Sequence, residues 1–119
     1  MSEETRDWIS DPAQVAALVN KWRGASAQGW AYSVSHSQLL IRVQWPKEPV
    51  DLFSLFLLFK GCSHVSFHDV WRDFNLRIQE FKGELGPEFV AADGDRLRVR
   101  FRYGPFACET EDFLKLHGI

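Results

Sequence analysis

The sequence predicts an α+β domain, with one N-terminal amphipathic helix packed on a mostly antiparallel sheet of about six strands. Three patterns carry that expectation: unambiguous helical periodicity over residues 12–23, a period of two over most of the remainder, and turn residues between strand-length runs. At 119 residues the chain suits a single domain over 1–119 and is too short for two with separate cores. Its aromatic share of 14% supplies large side chains for one such core.

Residues 1–10 are polar and acidic apart from Trp8 and Ile9, and read as a loose tail whose end is anchored to the fold. Asp11 suits the N-cap, Pro12 the first helical position, and Gln14 completes a capping-box spacing. Val15, Leu18, Val19 and Trp22 then recur on one helix face, and Gly24 stops the helix, giving a span of Pro12 to Arg23. Gly24 to Gly29 reads as a connector.

Tyr32 and Val34 suggest a short strand and Ser35 to Gln38 a turn. Leu39, Ile41, Val43 and Trp45 form one face of a longer strand. Pro46 to Asp51 is expected to be loop. Leu52 to Lys60 is apolar on both faces, which places it centrally in the sheet with cover on each side. Between Ser63 and Phe81 the pattern fits helix and strand almost equally; strand is preferred for Asn75 to Glu80.

The clearest stretch is Asp95 to Tyr103, where Leu97, Val99, Phe101 and Tyr103 alternate with Arg96, Arg98, Arg100 and Arg102. Successive strand side chains point to opposite faces, so this strand has one apolar and one cationic side. Asp93-Gly94 marks a two-residue hairpin before it, a register that sets Val90 opposite Leu97 and offers the arginines no carboxylate from the preceding strand. A second hairpin at Gly104-Pro105 would set Arg100 opposite Glu109 and Arg98 opposite Glu111.

The arginine strip therefore has two readings. As a solvated charge ladder, Arg98 and Arg100 are neutralised by Glu111 and Glu109. As a recognition surface, guanidinium groups would hold an anion, a nucleic acid or an acidic protein, and Arg96 and Arg102, left unpaired by that register, are the candidate contacts. The register and the formal net charge of −2 favour the ladder, and the charge argues against a general nucleic-acid or anionic-membrane binder.

Cys62, His64, His68 and Cys108 are residue types that Zn²⁺ prefers, but C-x-H-x₃-H is not the spacing of a common zinc motif, so no metal or other cofactor is expected. The chain has no nucleophile elbow, no Gly-rich phosphate loop and no H-E-x-x-H, so an enzyme is not the expectation and a small metal-dependent enzyme stands third, after a protein-binding and an anion- or nucleic-acid-binding module. Residues 1–7 lack a basic n-region followed by an apolar h-region, and two cysteines suit a reducing compartment, so a cytoplasmic location is the default. No apolar run approaches the roughly 18 residues of a membrane-spanning helix.

From Tyr32 to Leu116 the chain presents V-S-H-S-Q-L-L-I-R-V, then L-F-L-L-F-K-G-C-S-H-V, F-N-L-R-I-Q-E-F, D-G-D-R-L-R-V-R-F and F-A-C-E-T. This order resembles small β-rich immunity proteins of bacterial polymorphic-toxin systems, in which F-x-G-C or F-x-G-V ends a strand and an aromatic-x-Cys strand comes late. Phe59-Lys60-Gly61-Cys62 and Phe106-Ala107-Cys108 are the matching positions. The resemblance implies a protein-binding module that inhibits a toxin stoichiometrically, with no cofactor and no turnover. A basic partner would then be met by Glu109, Glu111 and Asp112, or by the loop Lys47 to Asp51.

Overall fold

A computed structural model describes residues 8–45, 54–84 and 86–110, with the Thr110 side chain excluded. Within them one helix, α1 (Pro12–Lys21), precedes nine strands. These are β1 (Ser26–Ser33), β2 (Gln38–Gln44), β3 (Ser54–Lys60), β4 (His64–Phe67), β5 (Val70–Trp71), β6 (Arg77–Gly83), β7 (Gly86–Asp93), β8 (Leu97–Phe101) and β9 (Tyr103–Thr110). Every ladder among them is antiparallel. None of the described helices is long and apolar enough to cross a membrane.

The expected single sheet of about six strands is replaced by two sheets, of order β5-β1-β2-β3-β9 and β4-β8-β7-β6. They share one core. Leu39, Ile41, Val43, Leu55, Leu57 and Phe59 of the larger sheet meet Ala91, Leu97, Val99 and Phe101 of the smaller. Phe59 and Phe101 make the central contact between the layers, edge to face with ring centroids 4.9 Å apart. Thus residues 97, 99 and 101 point inward, as the alternation requires.

Strand β3 has the cover on both faces that its composition demands. Leu55, Leu57 and Phe59 enter the shared core, while Phe56 and Leu58 join Leu40 in a second cluster flanked by Trp8, Trp30 and Phe106. It lies between β2 and β9, away from the sheet edges. Leu52 and Phe53, and the loop Pro46 to Asp51, lie outside the described residues.

Helix α1 starts where the capping signals place it, with the Asp11 carboxylate accepting the Gln14 N–H at 3.1 Å. Val15, Val19 and Trp22 enter the shared core. The helix is tied to β9 as well. The Trp22 Nε1–H donates to Glu109 Oε2 at 2.7 Å, and Lys21 Nζ reaches the same oxygen at 2.9 Å. Trp45, expected to share the inward face of β2, instead stands 40% exposed and stacks on Trp22 at 6.0 Å.

Three strand assignments need correction. β1 begins at Ser26, inside the segment expected to be a connector, because its small residues serve close packing. Ala25 and Ala27 are buried, and a Cβ at Gly29 would run into the Phe67 ring of the facing sheet. The strand preferred at Asn75 to Glu80 runs from Arg77 to Gly83 and is a sheet edge.

The third correction concerns the last hairpins. Asp93 pairs with Leu97 and Val90 with Arg100, three positions off the register a two-residue Asp93-Gly94 turn would give. Asp93 is only 1% exposed, and its carboxylate accepts from Trp71 Nε1 at 2.8 Å and from the Asn75 N–H at 2.9 Å. A buried acceptor with two donors cannot also sit at a solvated turn, so the turn shifts onto residues 94–96. The Gly104-Pro105 hairpin does not form: after Phe101 the chain leaves the smaller sheet, and β9 pairs with β3.

A candidate anion-binding face on the smaller sheet

The register of the smaller sheet decides what its solvent face presents. Ser66, Arg98, Ala92 and Arg77 form one row across β4, β8, β7 and β6, and His64, Arg100, Val90 and Gln79 form the next. Glu88 and Phe81 continue the pattern beyond. Ser63, His64, Phe81, Glu88, Val90, Arg98, Arg100 and Arg102 enclose an open concavity of about 690 Å³. Among the described residues, three guanidinium groups and a single carboxylate thus line one basin.

Arg100 is held from two sides. Its Nε donates to Glu88 Oε1 at 2.9 Å, and its guanidinium lies over the Phe81 ring, 4.8 Å from the centroid. Arg102 approaches Glu88 Oε2 at 3.6 Å. Gly83 makes room for this carboxylate, since a Cβ there would run into Glu88 Oε2. Arg98, an exposed residue, has no ion pair among the described residues. Among the described residues of the basin one negative charge thus stands against three positive ones, a local cationic excess on a chain of net charge −2.

Three of the four sequence-chosen arginines belong to this basin. Arg96 does not: it sits in the turn, its Nη1 donating to the Arg72 carbonyl at 2.7 Å and its Nη2 to Asp93 Oδ1 at 3.1 Å. It fastens the hairpin. The expected partners also change. Glu109 lies on β9 in the other sheet and is committed to Lys21 and Trp22, so it neither neutralises Arg100 nor offers a free contact. Glu111, Asp112 and the loop Lys47 to Asp51 lie outside the described residues.

Glu88 is the residue of this basin that the sequence alone did not place there. The two-residue turn assigned it to the face opposite the arginines, and only the buried role of Asp93 moves the register by an odd number and brings it back. A carboxylate beside Gly83 in the facing strand was the available signal.

The described residues contain no group of three or more His, Cys, Asp or Glu side chains that could hold a metal ion. Cys62 packs against the shared core, whereas Cys108 pairs with Phe56 on the outer side of the larger sheet. Burial pushes the Cys62 thiol up, against a smaller opposite pull from a backbone hydrogen bond to Leu39. A thiol shifted that way is a poor nucleophile at neutral pH.

No protein-family model, curated protein or solved structure matches this chain. The class of molecule is thus defined by its own features: a helix-capped pair of antiparallel sheets with an arginine-lined basin on the outer face of the smaller one.

Proposed function

We propose that the protein is a binding module that captures an acidic segment of another protein in the basin of Arg98, Arg100 and Arg102. The observation that carries this reading is the unequal charge of the basin, in which the described residues set three arginines around one carboxylate, that of Glu88. Guanidinium forks favour carboxylates, and charge-assisted bonds are about twice as strong as neutral ones. Alternate positions on an extended strand are about 6.8 Å apart, so Arg98 and Arg100 suit carboxylates at positions i and i+2 of an extended ligand. The resemblance to polymorphic-toxin immunity proteins supports a toxin as the partner, and occupancy of the basin would then make this protein a stoichiometric inhibitor, without cofactor or turnover.

A nucleic acid is the rival ligand, because phosphates answer the same guanidinium groups. The chain's net charge of −2 opposes it, since a general nucleic-acid binder carries a basic excess. The test is titration of the full chain with a Glu-x-Glu-rich peptide and, separately, with a single-stranded oligonucleotide at equal ionic strength. Peptide binding that weakens at least about tenfold in Arg98→Glu supports the proposal. Tighter, steeply salt-dependent binding of the oligonucleotide would transfer the assignment to nucleic acid.

A further inference from the structure

The described residues form four sheet edges, β5 and β9 in the larger sheet and β4 and β6 in the smaller. An open edge presents unpaired N–H and C=O groups, and proteins blunt such edges with short strands, proline, cover or charged side chains, some of them pointing inward. Three of the four are blunted. β5 has two residues and β4 four. β9 contains Pro105, and Ile9 bridges to it through reciprocal backbone hydrogen bonds with Ala107 of 2.7 and 2.9 Å.

Among the described residues β6 has none of the first three devices and is guarded by charge alone, that of Glu80 and Lys82. It is seven residues long, without proline, in unbroken register with β7, and Arg77, Ile78, Gln79, Glu80 and Lys82 are all exposed. Ile78 shares the face of Ala91, yet it is 38% exposed. Glu80 and Lys82 share that face with Ile78.

We propose that β6 is a self-association edge at which a second copy of this chain pairs antiparallel, joining two four-stranded sheets into one of eight. Self-complementarity of the strand identifies this occupant. A two-fold axis perpendicular to the sheet keeps like faces together, so only registers with even residue sums are allowed. With Phe81 on the axis, Phe81 meets its own copy, and Glu80 of each chain faces Lys82 of the other, twice over. Placing Glu80 or Lys82 on the axis sets like charges directly opposite, and placing Gln79 there creates no opposite-charge pair. A neutral strand would leave both inner-face charges unmatched. The two arginine basins would lie side by side on one face, since Phe81 borders each.

The test is sedimentation velocity on the full chain over a concentration series, with the variants Glu80→Lys, Lys82→Glu and the double exchange. None of these residues lines the basin, so the outcome is independent of acidic-peptide binding. A wild-type dimer, weakened at least about tenfold by each single reversal and restored by the double exchange, is expected. A monomer up to roughly 100 μM, a dimer indifferent to the reversals, or a double exchange that fails to rescue would overturn the proposal.

Discussion

Glu88 holds Arg100 across the β7–β8 ladder through a 2.9 Å bond from Nε to Oε1, with 11% of the glutamate side chain exposed against 47% of the arginine. The carboxylate occupies the place an acidic ligand would take, so it competes with that ligand from within the basin. Glu88→Gln is therefore expected to tighten acidic-peptide binding several-fold at low salt, with the gain shrinking as salt rises. Calorimetric titration at two ionic strengths checks both.

Gly83 is coupled to the same pair. A methyl group at position 83 would displace the Glu88 carboxylate, so Gly83→Ala should cost stability despite the better strand propensity of alanine. In a Glu88→Ala background the obstacle is gone, and the same substitution should be neutral or stabilising. Urea midpoints of the four proteins form the double-mutant cycle, and a coupling of about 1 kcal/mol is expected.

Asp93 is the buried acceptor that fixes the register of β7 on β8. Asp93→Ala leaves the Trp71 indole N–H, the Asn75 backbone N–H and part of the Arg96 guanidinium without their acceptor, and about 3 kcal/mol of stability is expected to be lost. Asp93→Asn retains one acceptor oxygen and should lose less. Equilibrium unfolding distinguishes the two.

Cys62 offers a pH-dependent prediction. Burial raises its pKa, so the thiolate is scarcer than in an exposed cysteine at the same pH, and alkylation by iodoacetamide should be slow near pH 7 and accelerate only above the ordinary thiol range. Because the folded-state value is the raised one, the contribution of Cys62 to stability is present below the unfolded pKa and is lost as the pH rises through the folded one. Mass-resolved alkylation across pH measures the first effect. Unfolding of Cys62→Ala beside wild type over the same range measures the second.

Local signals in the sequence were legible where a segment's own chemistry determines its state. Asp11 and Pro12 mark the start of α1, the unbroken apolar run in β3 marks a strand buried on both sides, and the alternation in β8 separates its inward and outward residues. Pairing between distant segments was not legible, because a period of two says which residues share a face and nothing about which strand lies alongside. The small residues of β1 looked like a connector, and Asp93 looked like a turn residue although it is buried. β9 looked like the neighbour of β8 although it pairs with β3. For the binding face, the arginines were visible and their carboxylate was not, since placing Glu88 depends on the hairpin register alone.

The proposal that the Arg98, Arg100 and Arg102 basin captures an acidic protein segment is tested most directly by two-dimensional NMR of the isotope-labelled chain during titration with a Glu-x-Glu peptide. Saturable shifts at the amides of His64, Val90, Arg98, Arg100 and Arg102, abolished in Arg98→Glu with Arg100→Glu, are the expected result. Saturable shifts confined to α1 and β9, or none at millimolar peptide and low salt, would contradict it.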